Sequence, residues 1–161
     1  MKIAFNNLPT QPGHKTRGIG FYARNLLEHL KKNPEVEIQE FSDISEVKNT
    51  DVVHYPFFDL FQRSLPVIKK FPTVVTVHDV TPLVFPAQYP PGIRGEIKGR
   101  LQRRVLKSVN AIITDSEYSK KDIIKYLQLD PNIIFSIHLA PNDAFRRIDN
   151  KSLLRQISKK Y

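Results

Sequence analysis

The sequence predicts an α/β fold, a doubly wound parallel sheet with helices on both faces, from three observations. Short β-branched runs alternate with segments of helical period along nearly the whole chain. The run from Thr73 to Val80, TVVTVHDV, opens without polar alternation, as a strand buried on both faces does. Pro and Gly punctuate the connections, and right-handed crossovers then lay successive strands side by side.

Composition narrows the classes. A chain of 161 residues, 40% hydrophobic and 25% charged, is one ordinary globular domain. The absence of Cys excludes a disulfide framework, a thiolate metal site and a thiol nucleophile, and fits a reducing compartment. The N-terminal run MKIAF is broken by Asn6 and Asn7, too short for a signal peptide core, and no 18 apolar residues occur together. A net charge of +9 points to anionic partners: phosphate-bearing ligands, acidic lipid surfaces or nucleic acid.

Lys2 to Asn6 reads as the first strand, followed by a loop to Gly20 with a basic flank at Lys15 and Arg17. From Ile19 to Lys32, Phe21, Leu26, Leu27 and Leu30 recur at helical spacing, and Pro34 stops the helix. Val36, Ile38 and Phe41 alternate with Glu37 and Glu40, the pattern of a half-exposed outer strand. Asp51 to Tyr55 is a third strand, closed by Pro56, and Phe57 to Lys70 is expected to be a short helix or helical loop.

Thr73 to Val80 is the fourth strand, and Thr81 to Gly92, with four prolines, is a long irregular loop of the kind that is usually functional. Ile93 to Val109 forms a helix in which Ile93, Ile97, Leu101, Val105 and Val109 repeat every four residues. Ala111 to Thr114 is the fifth strand, closed by Asp115 and Ser116. The next helix spans Glu117 to Gln128, with Ser116 or Ser119 available as N-cap. Ile133 to Leu139 is the sixth strand. After an irregular connection, Lys151 to Lys160 is again helical, with Leu153, Leu154 and Ile157 on one side. A helix that begins here with no later strand to cover suggests the front part of a longer protein.

In open α/β sheets ligands bind outside the carboxyl ends of the strands, so His78 and Asp79 at the end of the fourth strand are the first site candidates. Asp79 can orient the imidazole or cap the loop. His54 ends the third strand and lines the same edge, and His14 lies in the loop after the first. No His, Asp and Glu cluster has metal-ligand spacing, and no cofactor is implied.

Five ordered segments carry a family resemblance: RGIGFYARNLLEHL, VVHYPFF, TVVTVHDVTPLVFP, VNAIITDSEYSKKDI and IHLAPNDAF. Together they resemble the N-terminal half of retaining glycosyltransferases of the GT-B fold, in the family-four-like group of mannosyl- and glucosyltransferases that use nucleotide sugars. The resemblance implies a Rossmann-like acceptor domain at residues 1–145, then a linker and the start of a missing C-terminal donor domain at 146–161. It implies transfer of a hexose to a glycan or lipid-linked acceptor, with the nucleotide sugar held mostly by that second domain, so this half alone is expected to be inactive.

By the same resemblance His78 matches the cleft histidine that supports the reaction centre, and Gly18 and Gly20 match a glycine loop facing a ligand. Two such glycines also simply make a tight turn before a helix. Tyr22 follows them as a substrate-binding candidate beside Asp79, and Phe21 stands where many relatives have a basic residue. Ser116 matches a Ser followed by an acid, although N-capping explains it without a substrate.

The helix from Ile93 carries Arg94, Lys98, Arg100, Arg103, Arg104 and Lys107 against Glu96. That charge is either a solvated face or a contact with acidic lipid, worth on the order of 1 kcal/mol per cation at a membrane surface. The second reading places the protein in the cytoplasm, peripheral at the inner face of the cell membrane. Two other functions compete with sugar transfer: a non-catalytic carbohydrate-binding or regulatory module, and nucleic-acid binding. The last would need exposed aromatics interleaved with the basic residues, and the sequence has none so placed.

Overall fold

From the amino end one strand–helix–strand unit is followed by two further strands with no α-helix between them. The computed structural model describes residues 1–14, 16–142, 145, 147 and 149–160. Lys15, residues 146, 148 and 161 of the expected linker, and the side chain of Leu153 lie outside the described residues. Strand β1 spans Lys2–Asn6, helix α1 Gly18–Lys32, β2 Glu37–Phe41, β3 Val52–Tyr55 and β4 Thr73–Thr76. A short helix α2 at Thr81–Val84 precedes α3 at Gly92–Leu106, β5 at Ala111–Thr114, α4 at Glu117–Leu127, β6 at Ile134–Ser136 and α5 at Lys151–Lys160.

All six strands are parallel, in the order β2-β1-β3-β4-β5-β6. The chain winds outward from β1 to β2 and then returns to the other side of β1, so the topological switch lies between β1 and β3. On one face α1 packs Ala23 and Leu27 against Phe5. On the other, Val105, Leu106, Ile123 and Leu127 of α3 and α4 join Val53, Val75 and Ile112 in the main core. This is a doubly wound, Rossmann-like sheet, and β2 is an edge strand, as its charged alternation requires.

Two strands are shorter than their apolar runs. β4 ends at Thr76, although Val77 N still donates to Ile113 O at 2.9 Å. β6 ends at Ser136, with Ile137 N donating to Thr114 O at 2.8 Å. Gln128, in the left-handed region at φ 52°, ends α4.

Phe57 to Lys70 contains no helix. Pro66 disrupts helical bonding, and side chains replace the missing partners: Asp59 Oδ1 accepts from Phe61 N and Gln62 N, at 2.8 and 2.9 Å. Gln102, 1% exposed on α3, accepts from Ser64 N and Leu65 N at 3.0 and 2.9 Å. The loop from Thr81, expected to be irregular throughout, begins with the single turn of α2.

Helix α3 does not bury the apolar stripe that an amphipathic helix ordinarily buries. Ile93, Ile97 and Leu101 are exposed, and the inner face is Gly99, Gln102, Val105 and Leu106. The reason is close approach. A Cβ on Gly99 would lie 2.9 Å from Leu60 O and 3.2 Å from the Phe61 ring, and one on Gly95 would meet Pro91 Cβ at 3.1 Å. With a glycine face against the 57–65 segment, the isoleucines are turned outward.

Candidate functional site

The carboxyl edge of the sheet is set by how β4 meets β5. Asn110 Oδ1 accepts from Thr73 N at 2.8 Å, and Asn110 N donates to Thr73 O at 2.9 Å, locking the start of one strand to the other. In the register that follows, Thr76 pairs with Ile113. Two residues beyond Thr76 and Ile113, just past the ends of both strands, stand His78 and Asp115, side by side.

His78 Nδ1 lies 2.7 Å from Asp115 Oδ2, with side chains 16% and 22% exposed. A carboxylate only accepts, so the ring hydrogen sits on Nδ1 and donates to Asp115. His78 Nε2 and Asp115 Oδ1 are buried and have no hydrogen-bond partner among the described residues. The peptide of His78 is held as well: Thr114 Oγ1 donates to its carbonyl at 3.4 Å.

Tyr22, on the first turns of α1, packs edge-on against the His78 ring, with centroids 4.8 Å apart and planes at 90°. Its hydroxyl is 3.2 Å from Thr76 Oγ1, which is in turn 3.0 Å from His54 Nε2. Burial is the main cause that pushes the Tyr22 hydroxyl above its usual pKa. The Thr76 hydrogen bond opposes the rise, and the Asp115 carboxylate adds to it. Burial lowers His54 to about 4, so this imidazole is neutral near pH 7. His54 also meets Phe5 edge-on at 5.3 Å. Helix α1 and strands β3, β4 and β5 thus supply one connected set: His54, Thr76, Tyr22, His78 and Asp115.

The other sequence candidates take different places. Asp79 is exposed, and its Oδ1 accepts from Thr81 N at 2.8 Å, a local turn ahead of α2; the imidazole is oriented by Asp115 instead. Ser116 is the N-cap of α4, accepting from Ser119 N at 3.1 Å, directly after Asp115. Gly18 opens α1 with free space where a Cβ would be, and Gly20 is buried two residues before Tyr22. Phe21 is exposed beneath the Arg24 guanidinium, 4.6 Å from its ring centroid. His14 stacks at a tilt on Phe57, 5.7 Å away.

From Tyr22 and His54 a mainly apolar groove of about 750 Å³ runs between α1 and the part of the sheet that α1 leaves bare. Asn25, Leu26, Val74 and Ile113 line it, and its far wall is the segment Ile137 to Asn142, tied to α1 by Asn142 Nδ2 donating to Asn25 Oδ1 at 2.9 Å. Among the described residues no three His, Cys, Asp or Glu side chains gather as a metal ion would need.

Sequence reasoning placed His78 at the strand end but missed Asp115 as its partner. The one signal was that Asp115 closes β5 as His78 closes β4, which becomes a contact only once the two strands are known neighbours in that register.

No curated protein matches the chain. The family model described as Glycosyltransferase Family 4 matches residues 23–142, three quarters of the chain, and includes His54, Thr76, His78, Asp115 and Ser116. With a parallel α/β sheet presenting these residues at its carboxyl edge, the chain belongs to Glycosyltransferase Family 4.

Proposed function

We propose that this domain is the acceptor side of a site that transfers a hexose from a nucleotide sugar, with retention, to a glycan or lipid-linked acceptor. The observation that carries the reading is the His78–Asp115 pair at the carboxyl edge of adjacent parallel strands. Asp115 holds the Nδ1 hydrogen, which leaves the buried, unpartnered Nε2 as the accepting nitrogen, reached by a sugar hydroxyl only when the acceptor displaces what covers it. Tyr22 braces the ring, and Thr76 and His54 brace Tyr22.

Retention follows from a covalent intermediate or from a front-face route in which the leaving phosphate takes the proton of the acceptor hydroxyl. In both, the protein's contribution is positioning and charge stabilisation in a site that excludes water. The resemblance assigns the diphosphate to a second domain, so closure of two domains completes the site. The domain boundary we propose falls after residue 145, consistent with a family match that stops at 142 and with the half-exposed Leu154 and Ile157 of α5.

The test is a titration of ¹⁵N-histidine-labelled protein with mannosides and glucosides, followed by ring-nitrogen NMR. His78 Nε2 is expected to move, and that response to be absent from the spectrum of His78→Gln. If no glycoside shifts the His78 signals, the acceptor-side assignment fails.

A further inference from the structure

Helix α3 presents two unlike faces. Its inner face is glycine and Gln102; at 3.6 residues per turn, Ile93, Ile97 and Leu101 fall on the opposite side, 84%, 65% and 45% exposed. Arg100, Arg104 and Lys107 lie along one flank of that stripe, with Arg94 and Lys98 along the other, and all five are exposed. Glu96, the one acid of the helix, is shared by Arg100 Nε at 3.2 Å and Arg103 Nη2 at 3.5 Å. Just before the helix, Phe85 and Tyr89 are 52% and 50% exposed. On the cationic flank a cleft of about 280 Å³ is lined by Arg100, Arg103, Arg104, Lys107, Tyr126 and Gln128.

We infer that α3 docks this protein on the surface of an anionic lipid bilayer, with the isoleucine stripe entering the boundary between headgroups and acyl chains and the cleft taking a headgroup phosphate. An exposed apolar row bordered by cations on both sides is the pattern of a helix lying in a membrane interface. The row spans nine residues, roughly 12 Å, too little for the ~800 Å² per partner of a stable protein interface. Nucleic acid would engage the cations and leave the isoleucines in water. Among the described residues no helix is long and apolar enough to cross a membrane, so the contact is peripheral, and the anionic cytoplasmic leaflet is the surface it fits. This inference does not depend on the sugar-transfer reading, because α3 carries none of the residues around His78.

Vesicle flotation tests it, with phosphatidylcholine alone and with phosphatidylcholine mixed with phosphatidylglycerol. Binding is expected only to the anionic vesicles and to weaken with added salt. The double variant Ile93→Ser, Ile97→Ser should lose about tenfold or more in partitioning, and Arg100→Gln, Arg104→Gln, Lys107→Gln a similar amount. Both sets change exposed side chains, and circular dichroism checks that they fold.

The chain has no Trp, so Ile97→Trp is a clean reporter whose emission should shift to the blue only with anionic vesicles. Equal binding to neutral vesicles overturns the inference. Unchanged affinity of the serine variant, or an unshifted Trp emission, reduces the contact to charge adsorption and overturns insertion. Displacement from vesicles by inorganic phosphate at constant ionic strength would reassign the cleft to a soluble ligand, and retention by RNA or an acidic protein in place of vesicles would reassign the face.

Discussion

His78 Nδ1 donates to Asp115 Oδ2 across the β4–β5 boundary at 2.7 Å, and this contact fixes the ring hydrogen on Nδ1. Asp115→Asn keeps the shape but offers the ring an amide in place of a carboxylate. We expect the hydrogen to redistribute between Nδ1 and Nε2, visible in ring-nitrogen NMR, together with a loss of about 1–2 kcal/mol in denaturant unfolding. An unchanged tautomer in the Asn variant would remove Asp115 from the positioning role.

His54 supplies a pH dependence whose sign is fixed by burial. Its pKa is lowered from 6.5 to about 4, so below pH 6.5 the unfolded chain binds a proton that the folded chain resists. Stability is full above pH 6.5 and falls as pH drops toward 4, by about 3 kcal/mol in all. His54→Gln should flatten the unfolding midpoint over that window. A midpoint equally steep in the variant assigns the effect elsewhere.

Gly99 and Gly95 separate helix propensity from close packing. Alanine at either position favours an isolated helix by about 1 kcal/mol. At Gly99 the new Cβ meets a backbone carbonyl at 2.9 Å, so we expect net destabilisation of about 1–3 kcal/mol. At Gly95 the closest atom is Pro91 Cβ at 3.1 Å, and the change should be far milder. Thermal melts of the two single variants check the contrast.

Gln102 holds the irregular 57–65 segment to α3. Besides accepting from Ser64 N and Leu65 N, its Nε2 donates to Leu65 O at 3.3 Å. Gln102→Leu leaves those groups buried without a partner, and a loss of about 2–4 kcal/mol is expected, against little change for an exposed neighbour such as Arg104→Gln.

Residues 1–161 alone are expected to turn over no nucleotide sugar, because enzymes resembling this one hold the donor diphosphate on a second domain. Nucleotide release measured across a panel of nucleotide sugars checks this, and any turnover that His78→Ala abolishes would contradict it.

Much of the fold was legible in the residues. Buried β-branched runs, Pro and Gly punctuation and the Ser116 cap depend on neighbours within a few positions, and those interactions survive in any context. The same local logic failed for Phe57 to Lys70, where apolar content suggested a helix but Asp59 and the distant Gln102 satisfy the backbone instead. It failed again on the isoleucine repeat of α3, whose period was real but whose direction was not encoded in it.

By itself, then, the sequence determined the strand and helix alternation, the placement of His78 at a carboxyl end and the family to which these motifs belong. Only the tertiary structure decided that Asp115 rather than Asp79 orients the imidazole, that Tyr22, Thr76 and His54 join them, and which side of α3 meets solvent. The physical reason is distance along the chain. Strand register rests on the Thr73–Asn110 bonds, and helix rotation on the fit of Gly99 to Leu60, contacts between segments that local preference cannot bring together.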